Sequence, residues 1–332
     1  MTTTQLIEPL SSIDTPPGIL LPDPERLFAR RQKRFAALAA GHALGDWLAY
    51  LGRLTGAQHE CCLSIAPDLP LPPLQGEGRG GDGARMATKP MSFPPLIPHL
   101  PPSLPLEGGG VTPPLSPTSY PRPAVWIDVA KHIAASLAES SPQTMRARIA
   151  AFQALSPEQL DAMADTLING RPDSGALPEY LLVAAGLQTI WTALAARLDA
   201  NALPRLAPPG VCPVCGSPPV GSVVRTSAQV NNLRYLHCSL CNTEWNLPRA
   251  VCTACATDQA VSYRQIEGGN SAVRAECCDH CHSYLKIFAQ EKDPDVDPVA
   301  DDLATVALDL LVDETGYARS GPNLFLLGGA GA

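Results

Sequence analysis

Cys212-Pro-Val-Cys215, Cys238-Ser-Leu-Cys241, Cys252-Thr-Ala-Cys255 and Cys278-Asp-His-Cys281 decide how this chain folds. Residues 216 to 237, 22 in number, separate the first pair from the second, and residues 256 to 277, again 22, separate the third from the fourth. The unit repeats at an offset of 40 residues, and its neighbours keep the register: Leu233-Arg234 falls over Val273-Arg274, and Trp245 over Leu285. Self-similarity at a fixed period is the mark of an internal duplication. Two thiolates three residues apart on a tight turn point at one ion, and the amides of that turn offset their charge. A second such turn, returned by a β-hairpin, completes a tetrahedron with bonds of about 2.3 Å.

The residues between the pairs read as those hairpins. Val220 to Thr226 and Leu233 to His237 are strand-like and turn near Asn231-Asn232. Ala260 to Ile266 and Ala272 to Glu276 do the same around Gly268-Gly269-Asn270. Both turns carry residues that tight hairpins favour. The pattern predicts sequential pairing, with Cys212, Cys215, Cys238 and Cys241 as site 1 and Cys252, Cys255, Cys278 and Cys281 as site 2. A crossed arrangement and a pair of disulfide frameworks are the alternatives. Nine of the eleven cysteines fall in this cluster, and in a reducing compartment such density reads as metal binding. Cys277 makes a doublet with Cys278, but the two-residue spacing to Cys281 selects Cys278. His237, His280 and His282 flank sites that are already full and read as supporting or surface groups. Cys61 and Cys62 read as ordinary buried thiols.

A site filled by four thiolates has no open coordination position, which argues against hydrolytic chemistry. Three readings remain: structural zinc that lets a small β-domain fold, rubredoxin-like iron, or a nucleic-acid-binding zinc ribbon. Cys212-Pro-Val-Cys-Gly216 resembles a rubredoxin knuckle. The nucleic-acid reading needs a basic, aromatic face. Arg225, Arg234, Arg249, Arg264, Arg274 and Lys286 are the basic residues available between 207 and 290.

The remaining chain is mostly helical. With 332 residues, 45% hydrophobic, a core is feasible, whereas 5% aromatics with 35 Pro and 26 Gly imply an unpacked part. A net charge of −8 gives no overall attraction to nucleic acid or an anionic membrane. Two helices are expected from 24 to about 60, the first capped by Asp23 and carrying Leu27, Phe28, Arg31, Phe35 and Leu38 at helical spacing, with Gly41 and Gly45-Asp46 at the break. Arg30-Arg31 resembles a twin-arginine signal only superficially, because the apolar run behind it is short. Residues 66–123 read as a disordered Pro/Gly-rich insert. Helix resumes from 124, with Ser141-Pro142 and Ser156-Pro157 as expected caps and Gln159 completing a capping box. Gly170 is a stop signal, and Pro178 to Leu198, apolar all round, reads as the central helix of a bundle. Asp301-Asp302 opens a final helix to about Val312, expected to favour its N-terminus. No window approaches eighteen apolar residues and the N-terminus lacks a basic and an apolar signal region, so the expected location is the cytoplasm.

The fold class predicted is α+β: residues 1–206 all-α, a first metal ribbon over 207–247, a second over 248–290, and a C-terminal helix and tail over 291–332. Cys212-Pro-Val-Cys-Gly-Ser, Leu233-Arg-Tyr-Leu-His-Cys-Ser-Leu-Cys-Asn-Thr-Glu-Trp245, Tyr284-Leu-Lys-Ile, Gln290-Glu-Lys-Asp-Pro, Val299-Ala-Asp-Asp-Leu-Ala304 and Glu314-Thr-Gly-Tyr-Ala-Arg-Ser320 follow one another in an order that resembles the formate dehydrogenase accessory protein family FdhE. The helical half resembles it more loosely, and the Pro/Gly insert departs from it. The resemblance implies a cytoplasmic maturation factor, not an enzyme. It would bind the catalytic subunit of a respiratory formate dehydrogenase before twin-arginine export, without nucleic acid or membrane. The eight paired cysteines map onto the family's metal-binding motif, implying two ions, iron or zinc.

Overall fold

The computed structural model describes residues 16–65, 69, 112–170, 172–203, 210–226 and 231–326. Most of the Pro/Gly-rich insert therefore lies outside the described residues. Six helices precede the cysteine-rich region: α1 (Leu27–Ala39), α2 (Gly45–Ile65), α3 (Val125–Ala138), α4 (Gln143–Gln153), α5 (Pro157–Ile168) and α6 (Leu177–Ala195). α6 is buried continuously from Tyr180 to Ala195 and packs on α2, α3, α4 and α5. Its apolar circumference leaves no face for water, so it occupies the centre of the bundle. Gly186 sits where α6 crosses α3; a Cβ there would lie 2.7 Å from Ala130 Cβ.

Helix boundaries follow local chemistry, with two departures. Ser156 accepts from the Gln159 amide while Gln159 accepts from the Ser156 amide, the expected capping box of α5. Gly170 closes α5 with φ +69°. Ser141, by contrast, donates back to Leu137 O at the end of α3, and Pro142 occupies the N-cap of α4 without a side-chain cap. Asp23 accepts from the Glu25 amide, yet residues 24–26 form a turn and α1 starts at Leu27. Among the described residues no helix is long and apolar enough to cross a membrane.

The strands are β1 (Ile19–Leu20), β2 (Pro219–Thr226), β3 (Asn231–Cys238), β4 (Glu244–Asn246), β5 (Val261–Arg264), β6 (Val273–Cys278), β7 (Ser283–Ala289) and β8 (Ala318–Arg319). Each expected hairpin forms, β2 with β3 and β5 with β6, both antiparallel. Each is extended by the strand after its second knuckle, β4 on β3 and β7 on β6. The two expected ribbons form, and they are also joined edge to edge. β2 and β7 pair in parallel, Ser222 with Ile287 and Val224 with Ala289, so the two ribbons form one sheet in the order β1-β4-β3-β2-β7-β6-β5. β2 is buried over Pro219–Val224 and β7 over Ser283–Phe288, so exposing either edge would strand buried backbone groups. β1, from before the bundle, adds to β4, tying the start of the chain to the sheet.

Two short helices, α7 (Ala300–Ala304) and α8 (Val306–Asp313), follow the sheet. One core runs without interruption from the bundle through Cys212, Val214, Leu236 and Trp245 to Val299, Leu303 and Phe325. A smaller core under β6 and β7 holds Ala275, Cys277, Phe288, Leu308 and Val312. The end of the insert takes part as well. Leu115 is fully buried, its amide donates to Val214 O and its carbonyl accepts from Trp191 Nε1. Residues 112–123, at the end of that insert, pack against the rest of the molecule. Aromatic-poor composition gave no sign of it, because one leucine supplies the anchor.

Candidate metal centres

The four sulfurs of Cys212, Cys215, Cys238 and Cys241 converge within 4.8 Å of one another, as do those of Cys252, Cys255, Cys278 and Cys281. Sequential pairs come together, not crossed ones. In the first cluster Cys212 and Cys241 Sγ are 3.5 Å apart and Cys215 and Cys238 Sγ 3.4 Å; in the second the matching separations are both 3.7 Å. A tetrahedron with metal–sulfur bonds near 2.3 Å has edges of about 3.8 Å. A disulfide would demand about 2.05 Å, so no bridge joins them. All eleven cysteines are unbridged. Eight soft donors in two tetrahedral sets can hold two ions, and the donor chemistry suits zinc or iron alike.

The duplication extends to the backbone. Cys212 N donates to Ser217 O and Gly216 N to Cys212 O; forty residues on, Cys252 N donates to Thr257 O and Ala256 N to Cys252 O. Gly216 and Ala256 both have positive φ, +78° and +60°. Asn242 and His282, each following the last cysteine of its set, lie at +58° and +54°. That conformation costs a residue with a Cβ about 1–2 kcal/mol, so three of these four turns are held by the closure of the knuckle. The Leu240 and Cys241 amides both donate to Cys238 Sγ at 3.4 Å. Thr243 Oγ1 lies 3.2 Å from Cys241 Sγ, and Ser283 Oγ 3.0 Å from Cys281 Sγ. These two hydroxyls sit at equivalent positions and are placed to donate to a thiolate. The sequence signal for them is a hydroxyl residue two positions past the last cysteine in both repeats.

The other cysteines are of a different kind. Burial pushes the Cys61 thiol up to about 11, Cys62 to about 12 and Cys277 to about 11, which keeps them protonated at neutral pH. His280 and His282 are exposed, and His237 is buried. None of the three contributes a nitrogen to either cluster.

His237 belongs instead to a buried polar network that locks the first cluster to the bundle. Its Nδ1 is 2.8 Å from Glu244 Oε1 and its Nε2 3.0 Å from Asn242 Oδ1. Arg31 of α1, with no exposure, reaches Asp297 at 3.0 Å, donates to Asn242 Oδ1 at 3.0 Å and lies 3.4 Å from Gln188 Oε1. Asn242 also donates to Thr192 Oγ1, and Gln188 to Ser239 O. Burial acts to raise the Asp297 carboxyl, and the Arg31 guanidinium overrides it and holds it low.

Asp301 and Asp302 lie in the first turn of α7, as expected, but their side chains do more than favour its N-terminus. Both are fully buried ion-pair centres. Asp301 takes Arg34 through both oxygens, at 2.9 and 2.5 Å. Asp302 pairs with Lys286 at 3.1 Å and Arg319 at 2.8 Å, and accepts from Asn323. Lys286 also reaches Asp309 at 2.5 Å. Buried pairs of this kind do little for net stability but fix which surfaces meet, because a misplaced partner leaves a bare charge in the interior.

Comparisons with known proteins cover the whole described arrangement. Sequence families described as "FdhE, N-terminal", "FdhE, central domain" and "FdhE, C-terminal domain" match residues 16–208, 211–249 and 250–326. A "Protein FdhE homolog" of Actinobacillus pleuropneumoniae is 34% identical over 316 residues, 95% of this chain and 94% of the relative. One of Edwardsiella ictaluri is 34% identical over 94% of this chain and 92% of its own length. One of Haemophilus influenzae is 33% identical over 93% and 91%. The crystal structure of the FdhE protein from Pseudomonas aeruginosa superposes with a TM-score of 0.65 at 26% identity, covering 95% of this chain and all of that one.

Proposed function

The chain belongs to the FdhE family, and from that premise we propose that it is an accessory factor for formate dehydrogenase that binds the enzyme's catalytic subunit in the cytoplasm before export. The observation that supports this most is the span of the family match, which runs from residue 16 to 326 and takes in the bundle and both thiol clusters. The eight thiolates are assigned as ligands of two ions, iron or zinc. Ions so held would supply folding energy to the sheet and, if iron, one-electron chemistry. Among the described residues the only metal-competent sets are these two four-thiol clusters, whose donor count leaves no open position for substrate. That supports a binding role over a catalytic one.

The chain's own residues set the geometry of binding. The Arg31–Asp297–Asn242 contacts and the Arg34–Asp301 pair hold bundle, first knuckle and C-terminal segment in one orientation. A client docked across them would meet a preformed surface, which reduces the ordering cost of binding. The test is genetic. Cells lacking this chain should lose formate dehydrogenase activity and regain it with the wild-type chain, but not with Cys238→Ser. Full activity with Cys238→Ser would sink the assignment of the thiolates.

An electron-carrier reading is kept alive by the two amides on Cys238 Sγ, a feature that tunes rubredoxin-like iron. It requires a coloured protein that reductant bleaches. A nucleic-acid role is weakened by the ion pairs inside the sheet. Arg225 pairs with Glu244, Arg234 with Glu276 at 2.7 Å, and Lys286 with Asp302 and Asp309, so half of the basic side chains from 207 to 290 are neutralised.

A further inference from the structure

The two clusters share ligands, spacing and turns, but not their surroundings. In the first, Cys212, Cys238 and Cys241 have no exposure and Cys215 has 1%. The end of the insert grips one knuckle, where Leu115 N donates to Val214 O, and α6 grips the other through Gln188 and the Asn242–Thr192 contact. In the second, Cys252 and Cys278 are buried at 4% and 2%, but Cys255 and Cys281 are only partly covered. One partly covered thiol comes from each knuckle, so an edge of the tetrahedron faces water. The flanking Asp279, His280 and His282 are exposed. The contacts at these knuckles come from the sheet and the C-terminal segment: Arg234 donates to Thr253 Oγ1 and Val251 O, Asp279 N to Ala260 O, and Ala318 N to His282 O.

Ligand exchange at a closed tetrahedral centre starts at an accessible edge, by an incoming donor approaching the ion or by one thiolate swinging away. Only the second cluster presents such an edge. At the first, any thiolate that leaves must also break buried contacts with α6 or with the Leu115 strap.

We propose that the centres are unequal: Cys252, Cys255, Cys278 and Cys281 form an exchangeable site that trades its ion with soft divalent cations and chelating ligands, whereas Cys212, Cys215, Cys238 and Cys241 form a sealed joint. This rests on the assignment of the eight thiolates as metal ligands, and the test separates the two. The full chain is loaded with zinc and its metal counted before anything else is added. A count well below two per chain contradicts the ligand assignment, and the inference falls with it. With two bound, excess EDTA is added and zinc release followed, with N-ethylmaleimide pulses mapped by peptide mass spectrometry. One equivalent should leave at least about tenfold faster than the other, the size of effect that surrounding contacts exert on metal retention. Label should enter Cys255 and Cys281 first. Cys255→Ser should hold one zinc that is released at the slow rate alone. Release of both equivalents at one rate, or label entering the Cys212–Cys241 peptides first, overturns the proposal.

Discussion

Arg31 divides its guanidinium among Asp297, Gln188, Asn242 and His237, partners from different stretches of the chain. Removing it leaves the Asp297 carboxylate, which is 13% exposed, with only the Val299 and Ala300 amides and no cation. Arg31→Met should cost about 3–5 kcal/mol in urea unfolding, the usual penalty for orphaning one buried partner. Adding Asp297→Leu should recover much of that loss, because a buried pair replaced whole is nearly neutral. An additive double mutant would contradict this. Glu244 makes the complementary pH statement. Burial acts to raise its carboxyl, but Arg225 first, then His237, hold it down at about 2 against an ordinary 4.5. The folded state thus binds the proton less readily than the unfolded chain. The stability Glu244 contributes is fully present above pH 4.5 and is lost as pH falls toward 2, on the order of 3 kcal/mol. Circular dichroism over that window should show a flatter acid dependence for Glu244→Gln than for the wild type. At this scale the grouping of eight sulfurs into two sets of four was legible, since pairs at that spacing fit one ion and little else. The partners of Arg31 were not. Helical spacing did put Arg31 on the same face as Phe28 and Phe35, but a charge on an apolar stripe does not say which distant carboxylate meets it.

Elements were legible where a side chain satisfies its own backbone. Ser156 and Gln159 declare the start of α5 without help from the rest of the fold. Ser156→Ala should cost about 1 kcal/mol by chemical denaturation, the ordinary worth of an N-cap. No change would mean that the α5 terminus is held by packing alone. Ser141-Pro142 carries the same signature and fails as a cap, because α3 ends immediately before it and Leu137 O claims the hydroxyl. Local chemistry names the candidate; the neighbouring helix decides. The two hairpins were visible through their Asn- and Gly-rich connections, although Asn232, at positive φ, sits at a bulge inside β3 and not in the turn, and Gly268, also at positive φ, lies in the loop between β5 and β6. β4 is only three residues long, below what period-two alternation can reveal. β7 is buried at six successive positions, so its faces do not alternate either.

At the scale of the whole molecule, the sequence repeat showed two copies of one unit but not how they join. The parallel β2–β7 contact involves Ser222–Val224 and Ile287–Ala289, residues ordinary in any strand and more than sixty positions apart. Nor could composition show that Asp301 and Asp302 turn inward, since their cations, Arg34, Lys286 and Arg319, come from the two ends of the chain and the middle of the sheet. One consequence is that the ribbons do not come apart cleanly. A fragment ending at residue 249 would bare the β2 edge and leave Arg34 without Asp301. It should run as soluble aggregate on size exclusion, whereas the full chain elutes as a discrete species. A monodisperse, folded fragment would show that the joint between ribbons is not needed.

The tagged full chain, purified after nuclease treatment from its own cells grown with formate, tests the accessory role most directly, with bound proteins identified by mass spectrometry. The expected result is recovery of a formate dehydrogenase catalytic subunit with the wild-type chain and its loss with Cys238→Ser. A clean absence of that subunit from the wild-type preparation, in cells shown to express it, would contradict the proposed function while leaving the two thiol centres in place.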